Sequence, residues 1–306
     1  MVKPFVPFLP MEPIICREPF DDANTGFQVK WDGVRILAHL KGGQVQLYNR
    51  KKTVKTAQYP EIAHALKSLI NQDIILDGEM VALKDGKPNF LQIIRRDFAT
   101  DSSTIRYLAK IIPVTYVVFD IVFYKDKDLT SYTFKARDEL LKSLIPSKDP
   151  IAITDTVYES GTAFFSVAKE AELEGIVAKK LDSPYRIGKK SSDWLKIKNF
   201  KLLTAVIGGF VAEGREVRSL LLGVFQDRDF VYVGRAGSGL NYKTSSLLFE
   251  KLNQIKTNFC PFSRPFPIDK KQLISWVKPS IEVVVEYMDF TDEGLIRHPV
   301  IKQVIS

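Results

Sequence analysis

Residues 26–50 read GFQVKWDGVRILAHLKGGQVQLYNR, and this stretch decides how the first part of the chain folds. Three short strands follow one another, FQVKW at 27–31, VRILAHL at 34–40 and QVQLYN at 44–49, the last two joined by a Lys-Gly-Gly turn at 41–43. Tyr59-Pro60 then opens a helical stretch, EIAHALKSLI, with apolar residues at helical spacing. IILDGEMVAL at 74–83 and VTYVVFDIVFY at 114–124 read as buried strands, being short, β-branched or aromatic, and flanked by polar turns. Helices are expected over 133–143 and 162–172. Strands alternating with helices make this an α/β domain ending near residue 200.

After Asn199 the texture changes. TAVIGGFVAEG, SLLLGVFQ and DFVYVGRAG are closely spaced strands with glycine turns, a helix follows near 243–255, and IEVVVEYMDF closes the series. A small all-β domain over 201–306, with one helix between strands, fits an OB-fold barrel, a common platform for nucleic acid. The expected division is therefore 1–200 and 201–306.

Composition narrows the partners. Forty-four Lys and Arg against 36 Asp and Glu give a net charge of +8, which suits a polyanion, either nucleic acid or a membrane surface. Cys16 and Cys260 are too few for a disulfide framework or a four-thiolate zinc site, so a reducing compartment is expected, cytoplasmic and nucleoid-associated. The N-terminus is interrupted by prolines and has no signal-peptide core; the longest apolar stretch, 111–124, carries Pro113 and Asp120 and falls short of the roughly 20 residues that span a bilayer. No membrane association is expected.

The first residue that suggests chemistry is Lys30, in KWDGVR at 30–35. A lysine alone is nearly always a solvated charge, and this one would be read so without its company. Its company is DGE at 77–79, Phe119-Asp120, EGIVAK at 174–179 and WLKIK at 194–198. Polar groups at the ends of separate apolar strands are what a cleft built across a sheet requires.

In order and spacing these strings resemble the nucleotidyltransferase motifs of ATP-dependent DNA ligases, a superfamily that includes RNA ligases and mRNA-capping guanylyltransferases. The likeness covers nearly the whole chain; LLLGVFQDRDFVYVGRAGSGL, WVKP at 276–279 and DEGLIRHP at 292–299 are similar to the second domain of bacterial end-joining ligases. The resemblance implies an α/β nucleotidyltransferase (adenylation) domain and an OB-fold domain that bind nicked or broken duplex DNA. It makes Lys30 the nucleophile that carries AMP, Phe119 the ring that stacks on adenine, and Gln28 the contact to the purine edge. It gives Glu79 to the ribose or a metal-bound water, and Arg35 and Arg50 to the nucleotide and the phosphate at the nick. Glu174 becomes the principal metal-binding carboxylate, with Asp32 and Glu79 assisting, and Lys179, Lys196 and Lys198 face the α-phosphate. The cofactors implied are ATP and Mg2+, with Mn2+ as a substitute. The protein is expected to act as a monomer, with a DNA-end-binding protein as partner.

Elementary chemistry fits these roles. An ammonium is not a nucleophile, and a lysine whose ordinary pKa is about 10.4 loses its proton near neutrality only with cations nearby or partial desolvation. Attack at the α-phosphate places negative charge on oxygens that lysines and a hard cation stabilise.

Other readings compete. A nicotinamide-dependent ligase is disfavoured because only 29 residues precede Lys30 and the cysteines cannot make that family's zinc site. An RNA ligase is the enzymatic runner-up, since the shared core does not specify the acceptor. A catalytically silent OB-containing binder is the non-enzymatic one, but a binder needs none of Lys30, Glu79, Glu174, Lys196 and Lys198. Lys51, Lys52, Lys55, Lys189, Lys190, Lys270 and Lys271 are as readily a solvated face as a DNA contact. No Arg-x-Asp-Lys string follows RHP, and self-adenylation is expected to be slower than closure of a pre-adenylated nick.

Overall fold

The computed structural model describes residues 1–267, 273–291 and 293–305; Lys270, Lys271 and Asp292 lie outside them. The chain divides into two compact units, Met1–Asn199 and Phe200–Ser306. In the first unit the strands are β1 (Glu12–Cys16), β2 (Asp22–Val29), β3 (Val34–Lys41), β4 (Gln44–Asn49), β5 (Ile74–Lys84), β6 (Lys87–Pro88), β7 (Val114–Tyr124), β8 (Lys127–Asp128), β9 (Ile151–Ile153), β10 (Val157–Glu159), β11 (Gly175–Lys180) and β12 (Lys190–Lys198). Its helices are α1 (Pro60–Leu69), α2 (Phe90–Phe98), α3 (Ser102–Ile111), α4 (Phe134–Leu144) and α5 (Gly161–Glu170).

Two sheets result. One runs β4-β3-β5-β7-β8, with β6 on β5 and β9 on β7; the other runs β1-β12-β11-β2-β10. Alternation along each strand sends one set of side chains to a helical layer and the other into the space between the sheets. On β3, Ile36, Ala38 and Leu40 pack with Leu76, Met80 and Ala82 of β5 beneath Ile62, Leu66, Ile93, Ile105 and Leu108 of α1 to α3. Arg35, Asp77 and Glu79 therefore point the other way. In the second sheet Phe27, Ile176, Ala178 and Ile197 pack on Ala168, Phe164 and Phe165 of α5, and Gln28, Val177, Lys179, Lys196 and Lys198 take the opposite face. The inner faces meet where Ile75, Val122 and Phe123 pack with Tyr185, Trp194, Met11 and Val2.

Several sequence expectations change here. The span FQVKW is not all strand: β2 ends at Val29, so Lys30 and Trp31 lie in the link to β3. DGE does not end a strand; Asp77, Gly78 and Glu79 sit in the middle of β5. The last expected helix of the first unit stops at Glu170, and Glu172 turns to a φ of 55°. Helices α2 and α3 were not anticipated. They are started by Asn89 and Asp101, whose side chains accept from the backbone N–H of Gln92 and Thr104, the usual N-cap arrangement.

The second unit contains β13 (Lys201–Glu213), β14 (Glu216–Gln226), β15 (Asp229–Ala236), α6 (Tyr242–Gln254), β16 (Lys256–Thr257), β17 (Ser275–Val277), β18 (Glu282–Tyr287) and β19 (Val300–Ile305). β13 pairs with both β14 and β18, β14 with β15, and β18 with β19. A bridge between Ser238 and Val300 then brings β19 to the end of β15 and closes the sheet. Five strands closed in that order, with α6 between the third and fourth, form an OB barrel around Ala205, Leu220, Leu222, Leu248, Val283 and Val285. Among the described residues no helix is long and apolar enough to cross a membrane.

Candidate active site

The ladder of the second sheet sets the chemistry in three rows on its inner face. Lys179 of β11 lies opposite Gly26 on one side and Trp194 on the other. Val177 lies between Gln28 and Lys196. Gly175 pairs with Lys198, and its carbonyl accepts from the backbone N–H of Lys30 at 2.9 Å.

Gly175 has a φ of 138°, and a Cβ there would come within 2.1 Å of the Ile197 carbonyl oxygen, so no other residue fits. The Glu174 carboxylate lies beside this third row. Its Oε2 is 2.5 Å from Lys30 Nζ and its Oε1 is 3.1 Å from Lys198 Nζ. The carboxylate is 8% exposed and the two lysine side chains 21% and 20%, so the trio opens to solvent on the lysine side only. Lys196 lies one row away. Partial burial, then Lys198 and Lys30, lowers its pKa.

From the facing sheet Glu79 comes close enough to feel Lys30, Arg35 and Glu174. Burial pushes its pKa up to about 8, against the pull of Lys30 and Arg35. A neutral Glu79 can donate a hydrogen bond as well as accept one. Gly33 explains how β5 approaches so near: a Cβ there would meet the Met80 carbonyl oxygen at 2.1 Å.

Arg35 is locked in place. Its Nε and Nη2 donate to the two oxygens of Asp77 at 2.9 and 2.6 Å, and the Tyr185 hydroxyl donates to Asp77 Oδ2 at 2.6 Å. Phe119 owes its position to a β-bulge: Asp77 pairs with Asp120 but Gly78 pairs with Val118, leaving Phe119 as the extra residue. A bulge of this kind re-aims a side chain. The Phe119 ring lies edge-on to Trp194, with Arg35 Cζ 5.3 Å from its centroid. Behind it, Asp120 and Arg137 form a fully buried two-point pair at 2.8 and 3.0 Å.

Two assigned residues differ in exposure from the others. Lys179 is enclosed, whereas Lys196 and Lys198 are half-buried. It is 2% exposed, donates from Nζ to the Phe119 carbonyl at 2.9 Å, and sits 4.2, 4.7 and 4.8 Å from the ring centroids of Trp194, Phe134 and Phe119. Burial lowers its pKa to about 8, opposed by Asp120, Asp138 and Asp77. Lys179 stands two places along β11 from Val177, opposite Gly26. Arg50 is exposed in the turn after β4, one step past the pair Ile36–Asn49.

Asp32 is half-buried in the link after Lys30. Among the described residues no three Asp, Glu, His or Cys side chains gather as a ready metal cluster. Asp77, Tyr185, Trp194, Asp138 and Thr156 make contacts in the site that no motif marks, although Asp77 lies within DGE and Trp194 within WLKIK.

Two family models match the sequence, the ATP dependent DNA ligase domain over residues 15–198 and the ATP dependent DNA ligase C terminal region over residues 213–305. The chain is 30% identical over 276 residues to the multifunctional non-homologous end joining DNA repair protein LigD of Mycobacterium tuberculosis, covering 89% of this chain and 35% of that protein. It is 31% identical over 206 residues to the SPbeta prophage-derived DNA ligase-like protein LigB of Bacillus subtilis, covering 67% of this chain and 72% of that protein. The solved structure of mycobacterial DNA ligase D complexed with ATP and MES aligns with a TM-score of 0.58 at 27% identity, over 97% of this chain and 95% of that one. This chain thus spans about a third of the length of the end-joining proteins it resembles. The first matched span runs through every strand that positions Lys30, Glu79, Glu174 and Lys198, and the chain belongs to the ATP-dependent DNA ligase family.

Proposed function

We propose that this chain is an ATP-dependent DNA ligase module that loads AMP onto Lys30 and seals 5′-phosphate and 3′-hydroxyl ends of nicked or broken duplex DNA, in repair or end joining. The observation that carries the reading is the Glu174 carboxylate shared by Lys30 and Lys198. Lys30 attacks only as the neutral amine, so its contact with Glu174 opens before the nitrogen–phosphorus bond forms and the bond to pyrophosphate breaks. Lys198 and Lys196 then stand beside the oxygens that gain charge. The DNA 5′-phosphate next displaces Lys30 from the AMP, and the 3′-hydroxyl displaces AMP.

The binding roles follow the rows. Phe119 supplies the stacking face for adenine, Gln28 the edge contact and Val177 an apolar floor. Glu79, neutral through burial, suits a ribose hydroxyl. Arg35, already oriented by Asp77, and exposed Arg50 suit phosphate oxygens. Glu174 and Asp32 suit Mg2+ or Mn2+, since magnesium usually takes one or two carboxylates, and Glu79 as a neutral acid would support the site by hydrogen-bonding a water of the ion; the ion would neutralise charge on the triphosphate. The first unit is the adenylation domain in this reading. The second is an OB-fold DNA-binding domain, and a DNA-end-binding protein is the proposed partner.

The test is incubation with α-labelled ATP and magnesium, followed by addition of a nicked duplex. Label on the protein that transfers to DNA and is released as AMP on sealing supports the proposal. Transfer to an RNA end but not to a DNA nick favours the RNA ligase reading, and no label on the protein favours a silent binder.

A further inference from the structure

Gln28 is 1% exposed, and its two amide ends are treated differently by their surroundings. Nε2 donates to Thr156 Oγ1 at 3.0 Å and lies 3.5 Å from Asp138 Oδ1. The Thr156 hydroxyl spends its own proton on Asp138 Oδ1 at 3.1 Å, so it offers Gln28 only lone pairs. Asp138, 1% exposed on α4, receives Lys142 Nζ at 2.6 Å and the Tyr158 hydroxyl at 3.3 Å on its other oxygen. A carboxylate so surrounded presents acceptors alone.

Heavy-atom positions do not distinguish the ends of an amide, but this network does. Turning the Gln28 carbonyl toward Asp138 and Thr156 would set three acceptors together. The NH2 must face them, and Oε1 must face away. Oε1 is indeed buried and without a hydrogen-bond partner among the described residues. A buried acceptor left in this way is one that a bound donor completes.

We propose that Asp138 is a specificity-determining positioning residue, holding the Gln28 amide so that its carbonyl accepts from the 6-amino group of adenine and repels the 6-keto group of guanine. This rests on the placement of the purine edge at Gln28 proposed above. Adenine presents a donor at that position and guanine an acceptor, so a fixed carbonyl admits one and disfavours the other. A free glutamine would flip to suit either base, and Asp138 prevents the flip. Asp138 acts in this way without touching the nucleotide.

The experiment compares kcat/KM for self-adenylation with ATP and for self-guanylation with GTP in the wild type, Asp138→Asn, Thr156→Val and Gln28→Ala. Asparagine can offer either end to Gln28, so Asp138→Asn should lower the ATP-over-GTP ratio about tenfold to a hundredfold, with saturated self-adenylation near wild type. Thr156→Val should move the ratio the same way by less, and serves if Asp138→Asn does not fold. Purine riboside triphosphate, which lacks the 6-amino group, should be penalised against ATP in the wild type and much less in Asp138→Asn. A collapsed ratio in Gln28→Ala with an unchanged ratio in both Asp138→Asn and Thr156→Val overturns the proposal and leaves the Gln28 contact standing. An unchanged ratio in Gln28→Ala overturns that contact, and the proposal with it.

Discussion

Lys30, in the link just past β2, and Lys179, on the neighbouring strand β11, lie along the same sheet in opposite surroundings. Lys30 meets a carboxylate that it shares with Lys198 and keeps a fifth of its side chain open. Lys179 is closed in by Phe119, Phe134 and Trp194 and spends its proton on a backbone carbonyl. The first surroundings can be exchanged, since a cation or a phosphate can replace either partner of Glu174. The second cannot be exchanged without dismantling a bulge and three ring contacts. Under the proposed function, Lys30 is chemical and Lys179 architectural, a division made by their surroundings and not by their motifs.

Four substitutions test that contrast. Lys30→Ala should remove covalent AMP transfer altogether, at least about a thousandfold, because no other amine takes its place. A nick that already carries AMP should still be closed weakly, and the melting temperature should stay close to wild type. Persistent labelling of the variant would mean that another side chain is the nucleophile.

Glu174→Gln should slow self-adenylation about 100- to 1,000-fold, the usual cost of losing one positioned electrostatic partner of the reacting groups. Rates measured in single turnover at saturating ATP would detect it. A rate within threefold of wild type would separate Glu174 from the chemistry.

Lys179→Met, which keeps volume but gives up the bond to the Phe119 carbonyl, should act mainly on ATP affinity. A rise in KM of about tenfold or less with little change in the saturated rate is expected, together with a loss of about 1 kcal/mol in stability for the orphaned carbonyl. A collapse in the saturated rate at unchanged KM would place Lys179 with Lys30 after all.

Glu79→Gln tests the electrostatic background, and its effect is the smallest on chemistry and the most dependent on pH. The pKa of Glu79 is raised by burial to about 8, so the folded chain holds a proton there that the unfolded chain releases above about 4.5. Stability from this site is full below 4.5 and declines as pH rises toward 8. The glutamine variant has no such decline. Its melting temperature relative to wild type should therefore increase between pH 5 and pH 8, by an amount worth about 2 kcal/mol after discounting for partial exposure. A difference that is flat with pH would contradict a buried neutral Glu79.

Much of this arrangement could be read from the sequence, and the reasons for the rest are physical. Strands β3, β4, β5 and β7 announced themselves because their apolar residues run in short blocks bounded by turns. The OB barrel did so through closely spaced strands and a single helix. Helices α2 and α3 escaped because each buries only two or three residues, among them the polar Arg96 and Asp97. Strands β11 and β12 escaped because half of their residues face a polar cleft and include Lys179, Lys196 and Lys198. The strings around Lys30, Glu174 and Lys198 pointed to groups that the fold joins, each lysine lying within 3.1 Å of the Glu174 carboxylate. They did not separate Lys179 from its neighbours, since pairing register places it opposite Gly26, and register is not written locally. Asp138 left no trace in the sequence, because its importance lies in three partners drawn from separate elements.

Under the proposed function Lys30, and not a neighbouring lysine, becomes covalently charged. Intact-mass measurement of the chain after incubation with ATP and magnesium, followed by peptide mapping, tests it most directly. One added AMP per chain is expected, mapped to Lys30, absent from Lys30→Ala and retained in Lys179→Met. An adduct on Lys179, Lys196 or Lys198, or an adduct that survives Lys30→Ala, would contradict it.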